Sequence, residues 1–147
     1  MAYSTDTIQY GGDIMIFVAS APIAFSTNAK LSVSTKTRDI SNKDSSNWTE
    51  KKSGRFDWNC SSDAFNNYAT SGTTQSVDDL YLLFSGGSAV AITFASKSGT
   101  SPSWTANTGI KYFSGNAIIT SFEINSPDAE TPTYTISMEG TGALNLI

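Results

Sequence analysis

Apolar residues recur at every second position over most of this chain, and at helical spacing only once. That alternation predicts half-buried strands. Ile14–Val18 is an apolar run of strand length behind a Gly11-Gly12-Asp13 turn. Ser20-Ala-Pro22 predicts the next turn, and Ile23-Ala-Phe25 begins a hairpin return. Leu31, Val33 and Thr35 then share one face, with Lys30, Ser32, Ser34 and Lys36 on the other. Behind Gly54, Phe56, Trp58 and Cys60 alternate with Arg55, Asp57 and Asn59. Val90, Ile92 and Phe94 make a further strand, and a loop with Trp104 in it follows over 96–109. Ile118, Thr120, Phe122 and Ile124 alternate with Ile119, Ser121 and Glu123 in a long strand beginning near Tyr112. A turn over 126–132 leads to Tyr134, Ile136 and Met138, set against Thr133, Thr135, Ser137 and Glu139. The tail, 140–147, keeps enough apolar character for a last strand.

The single helix is predicted after a polar, turn-rich stretch over 66–75. Ser76 is a good N-cap, and Asp78 and Asp79 suit the positive helix start. Val77, Leu80, Leu83 and Phe84 form one stripe, and Gly86 suits a left-handed C-cap. Adjacent helix residues point about 100° apart, so the aspartate pair reads as capping rather than catalysis. Seven or eight strands with one short helix predict a mainly β fold, a β-sandwich or barrel whose helix covers one edge. With 147 residues, one domain is expected over 1–147, with an N-terminal lead over 1–11.

One stretch does not fit a compact domain. Between the strands around Val33 and Trp58 lies a charged connection over 39–53, with Trp48 near its middle. Connections beyond about 12–15 residues are usually functional or disordered. A disordered loop has little use for tryptophan. The connection therefore reads as an extended arm that docks onto something.

Charge sharpens that reading. Residues 36–55 hold six basic and three acidic groups, a net +3; the rest hold three basic and ten acidic groups, a net −7. A basic arm on an acidic body is complementary when copies of the chain meet. A solvated loop kept soluble by its lysines accounts for the same charges about equally well.

Composition narrows the chemistry. Serine and threonine number 41, and they suit solvated strand faces and turns rather than helices. The chain has no histidine and one cysteine, Cys60. Histidine-based triads, ordinary Cys/His metal sites and an intrachain disulfide framework are thereby unavailable. Cys60 falls on an apolar strand face, as a buried thiol would. Asp39, Asp44 and Glu50 lack the regular spacing of a calcium loop and are interleaved with lysines. Gly86-Gly87 follows a helix instead of opening one, so it forms no phosphate cradle. Neither a catalytic nor a metal nor a cofactor site is expected.

No run reaches the 18 or so apolar residues that span a bilayer, and the first residues lack a basic start with an apolar core. Folding in a reducing cytoplasm without a membrane is expected. Asn47-Trp-Thr49 and Asn59-Cys-Ser61 match the N-glycosylation pattern by chance on this reading. The basic groups are too few and too mixed with acids for specific nucleic-acid binding.

The order of fragments around the arm is familiar. Gly12-Asp13 precedes an apolar strand, followed by Pro22-Ile23-Ala24 and Leu31-Ser32-Val33-Ser34. Then come Asp39-Ile-Ser-Asn-Lys-Asp-Ser-Ser-Asn-Trp48, Gly54 and Trp58. This series resembles the major tail protein, or tail tube protein, family of long-tailed bacteriophages over residues 12–60. The resemblance departs from the family in a longer N-terminal lead and a weak match over 61–75.

The resemblance implies a virion structural subunit, made in the host cytoplasm, that forms hexameric rings stacked into a tail tube. It implies self-association through the arm, with Trp48 as anchor and Asp39, Lys43, Asp44, Glu50, Lys51 and Lys52 around it. Tape measure, tail terminator and baseplate or distal tail proteins follow as further partners. DNA would pass through an acidic or polar lumen without specific binding, with Glu123 and Glu139 as candidate lumen residues. The alternative from the residues themselves is a carbohydrate-binding or adhesin β-sandwich, in which Trp48 and Trp104 stack on sugars.

Overall fold

The computed structural model describes residues 11–67, 74–100 and 103–147. The expected lead therefore lies outside the described residues except for Gly11. So does the middle of the turn-rich stretch. Among the described residues, eight strands and one helix follow a 3-10 turn at Gly11–Asp13: β1 (Ile14–Val18), β2 (Ala21–Pro22), β3 (Ser26–Asp39), β4 (Lys51–Phe65), α1 (Val77–Gly86), β5 (Val90–Ser98), β6 (Thr105–Ala106), β7 (Phe113–Asn125) and β8 (Thr133–Leu146). The expected loop at 96–109 is shorter than its composition suggests, because β5 continues through Ser98 and pairs with β6.

All the strands pair antiparallel, and seven lie in the order β2-β1-β5-β7-β8-β4-β3. The two ends of that path, β2 and β3, are consecutive in sequence and joined only by residues 23–25. Three residues reach ~10 Å at most, whereas seven strands laid flat span ~30 Å. The sheet must therefore roll until its edges meet. Gln75 fastens the seam: its N–H donates to Pro22 O at 2.8 Å, its O accepts from Ala24 N–H at 2.9 Å, and its side-chain amide donates to Val18 O at 3.0 Å. Phe65 N–H donates to Phe25 O on the other side. The β1–β2 turn sits at Ala19 and Ser20, one residue before the expected position, both with positive φ (51° and 70°). Two left-handed residues match the twist of a two-residue hairpin.

The roll encloses Ile16, Val18, Ile92, Ala117, Ile119, Tyr134, Ile136, Met138, Cys60 and Ala64, with Val77 and Leu80 of α1 packed on them. Simple alternation misplaces one strand. On β7 the register passes from Ile119↔Met138 to Ser121↔Ser137, so Thr120 is an extra residue. That bulge puts Ile119 and Phe122 on the core side and leaves Ile118 39% exposed. A period-two reading cannot detect an inserted residue.

The helix begins as expected. Ser76 N–H donates to Asp79 Oδ2 at 3.3 Å, and the Ser76 hydroxyl donates to Asp78 and Asp79. It ends one residue late, at Gly87 (φ 67°), whose N–H donates to Phe84 O. Leu83 packs against the core, whereas Phe84 stays partly exposed beside Tyr81. Tyr81 in turn meets the edge of Phe122, which stacks on Tyr134 at 5.5 Å.

Trp58 closes the core where β4 leaves it. The indole is 4% exposed and lies on backbone stripped of side chains. A Cβ at Gly140 would fall within the ring, and one at Gly115 would stand 2.8 Å from it. Opposite Gly115, β8 carries extra residues between Thr141 and Asn145, and there Gly142 O accepts the indole N–H at 3.2 Å. Trp58→Ala should cost ~3–5 kcal/mol, read as a lower urea midpoint at unchanged slope. Gly140→Ala should destabilise by ~1–3 kcal/mol or more, because the ring must move.

Burial pushes the Cys60 thiol from 9.0 up to about 12. A raised pKa favours the fold below the unfolded value, and that contribution is lost as pH climbs from about 9 to about 12. Native protein at pH 8 should leave Cys60 unmodified by Ellman's reagent, and urea should release one reactive thiol per chain. Rapid modification without denaturant would contradict the burial.

Candidate functional site: the arm and the polar sheet face

The arm is a continuation of the sheet. β3 and β4 pair from Leu31↔Cys60 outward through Val33↔Trp58 and Thr35↔Phe56 to Asp39↔Lys51. β8, by contrast, pairs with β4 only from Asn59 to Phe65. Beyond Asn59 the hairpin therefore runs as two strands alone. The expected 39–53 connection is shorter than it seemed, since Asp39, Lys51, Lys52 and Ser53 belong to the ladder and only 40–50 are loop. Between Thr35 and Thr37 one residue of β3, Lys36, faces both Gly54 and Arg55. This bulge bends the hairpin, and Gly54 allows it, since a Cβ there would stand 2.7 Å from Lys36 O.

The loop is ordered by its own polar groups. Ile40 N–H donates to Glu50 O, and the Ser41 hydroxyl accepts from Glu50 N–H at 2.8 Å and donates to Glu50 O. Asp39 Oδ1 accepts from Ser41 N–H at 2.8 Å, and Asn42 Oδ1 from Asp44 N–H at 2.8 Å. The Ser41 backbone and hydroxyl hold the Asp39 carboxyl below its usual value, with a smaller pull from Lys51. Lys43, Asp44, Glu50, Lys51 and Lys52 are all exposed around this frame, and Trp48 is 82% exposed. The structure thus brings the predicted arm residues together on one projection.

The face of the hairpin that faces the core at its root continues into solvent. Val33 (55% exposed) and Phe56 (75%) extend the Leu31–Cys60–Trp58 side past the edge of the body. Alternation alone made Phe56 a core residue. It is exposed because β8 stops pairing at Asn59 and no strand among the described residues lies over the arm.

The opposite face of β3, β4, β8 and β7 is polar across four strands. Register places Lys30, Ser32, Asp57, Asn59, Ser61, Asp63, Thr135, Ser137, Glu139, Ser121 and Glu123 on it. Glu123 lies opposite Thr135 and Glu139 opposite Ile118, so both predicted carboxylates share this surface. Asp57 and Asp63 join them. Asp63 accepts from Thr135 Oγ1 at 2.6 Å and from Asn28 Nδ2 at 3.3 Å. Sequence reading left both out of the lumen candidates, although Asp57 already stands in the Arg55/Asp57/Asn59 alternation and extending it by four residues reaches Asp63. The Trp104 ring, meanwhile, has Lys97 Nζ 4.4 Å above its centroid, which occupies a face that a stacked sugar would need.

The sequence profile of the phage tail tube protein matches residues 14–145. The chain belongs to the phage tail tube protein family. No curated protein matches it. Among solved structures, this tail tube protein is similar to one chain of the virion of a native gene transfer agent particle (TM-score 0.74, 19% identity, covering 95% of this chain and 99% of that one). It is equally similar to the tail of the empty gene transfer agent particle, which has C6 symmetry (TM-score 0.73, 19% identity, 95% and 99% covered). The tail tube of SPP1 shares the fold at 11% identity (TM-score 0.67, 93% and 77% covered). The protein is a structural subunit of a virion tail, as the residue series around the arm implied.

Because Trp48 is 82% exposed and stands outside the core cluster, Trp48→Ala should change the unfolding free energy of the dissociated tail tube protein by under ~0.5 kcal/mol. Loss of the monomer fold on that substitution would show that the arm is part of the core.

Proposed function

We propose that the protein forms hexameric rings that stack into a tube, with the arm joining copies and the polar four-strand face lining the lumen. The observation that carries this reading is the segregation of surfaces on one subunit. A projecting hairpin shows Trp48, Val33 and Phe56 to solvent, while a broad face presents, apart from Ile118, short polar groups and four carboxylates against Lys30. An exposed indole on a basic arm suits a hot-spot anchor, with Lys43, Lys51 and Lys52 setting register against an acidic body. Heterologous contacts of this kind build rings where the rotation closes and filaments where it does not.

The carboxylate face suits a conduit for DNA. A wall of lysines would bind phosphates by counterion release and hold the passing duplex, whereas Asp57, Asp63, Glu123 and Glu139 repel it. Hydroxyl-bearing neighbours keep that wall wetted without offering cations. The protein supplies a surface and a bore rather than a reaction. Terminator, baseplate and tape measure proteins would meet the ends and interior of the tube.

Negative-stain microscopy of concentrated protein should show tubes of uniform diameter; protein that stays monomeric by sedimentation in every condition would overturn the reading. Glu123→Lys combined with Glu139→Lys should leave tube assembly intact and slow DNA ejection from assembled particles. Unchanged ejection kinetics would move the lumen to another face.

A further inference from the structure

The seam where the rolled sheet closes leaves a recess of about 780 Å³. Its walls include Met15, Pro22, Phe25, Ala29, Phe94 and Trp104. That volume lies within the range of clefts that hold a specific occupant, about 300–1,000 Å³. Phe25 stands at its lip 66% exposed, with positive φ (53°). Trp104 is steadied as a wall by Lys97 above its ring. Ser26, Thr27, Asn28 and Thr74 add polar groups to these walls, and a recess of mixed walls with an exposed aromatic lip is surface of the kind that a partner covers.

We infer that this recess receives the arm tip of a second copy of the chain, with Trp48 as the inserted side chain. This rests on the tube reading above and adds the receiving site. Three observations choose the occupant. First, Trp48 is the most exposed large apolar side chain of the described residues, and an indole fits well inside the recess. Second, the recess and the arm lie at opposite ends of one strand. Ser26, Thr27, Asn28 and Ala29 of β3 line the recess, and Asp39 ends the same strand at the arm. Ten residues of strand span ~33 Å, and pairing with β4 stiffens them, so a chain cannot place its own Trp48 in its own recess. A socket and a plug at opposite ends of one subunit make a head-to-tail contact, which propagates.

Third, the charges agree. Asp13 stands between the lining residues Gly12 and Ile14, at the rim of the recess. The arm brings Lys43, Lys51 and Lys52. Lys97, the cation among the lining residues, is engaged by Trp104.

The test uses full-length protein assembled into tubes. Position 48 is replaced by the photo-crosslinking residue p-benzoylphenylalanine, and light and isotope-heavy chains are mixed before assembly. Light-to-heavy cross-links to peptides holding residues 22–29, Phe94 or Trp104 are expected. Cross-links confined to the same chain, to α1 or to the first ten residues overturn the inference. A second measurement guards against misfolded variants. Thr27→Trp fills the recess from an exposed position, and Trp48→Ala empties the plug; each should raise the protein concentration needed for tubes by about tenfold. The double variant should be no worse than either alone, as for two halves of one contact. Additive effects in variants with unchanged circular dichroism overturn the socket while leaving the tube reading intact. Wild-type protein that never forms tubes overturns both.

Discussion

Trp58 against bare backbone is the contact on which the division of this molecule depends. The indole covers Gly115 and Gly140 and donates to Gly142 O. It therefore fills the core just past Asn59, the last point where β4 has neighbours on both sides. One residue pair further out, the same hairpin has no third strand. On this face of β4, Cys60 and Ala64 inward of Trp58 are buried and Phe56 outward of it is exposed, with no change in their alternation. Body and arm are thus one continuous ladder, divided by where its third strand stops.

Two further constraints keep the hairpin in place. The three-residue seam at 23–25 brings β3 beside β1, so the root of the arm is held from both edges of the sheet. The Lys36 bulge then sets the angle at which the arm leaves. The polar face of the same strands follows from strand geometry. Once Trp58, Cys60 and Ala64 face inward, Asp57, Asn59 and Asp63 must face outward.

Much of this was legible in the sequence because it rests on period. The strands around Ile16, Trp58, Ile92 and Ile136 follow from alternation, and Ser76 with Asp79 marks the helix start. What stayed hidden depends on contacts between distant segments. The Thr120 bulge, which reverses the facing of Ile118 and Ile119, leaves no trace in composition. Gly140 and Gly115 become meaningful only when Trp58 is placed over them. The arm residues were legible as a group, since charge and Trp48 stood out from their surroundings. The exposure of Phe56 was not, because pattern cannot say where a neighbouring strand ends.

A hairpin of two strands has a thermodynamic character of its own. Alone it is marginally stable in water, but here the ladder to the sheet and the polar bonds within 40–50 hold it in shape before any partner arrives. Two free subunits that meet still lose translational and rotational freedom, and a single arm contact is all that offsets the loss. At the end of the proposed tube the neighbours are already aligned, and one docking event would be rewarded by several contacts at once. Such a tube would nucleate slowly and elongate fast, and assembly from a template would outrun spontaneous polymerisation in free solution.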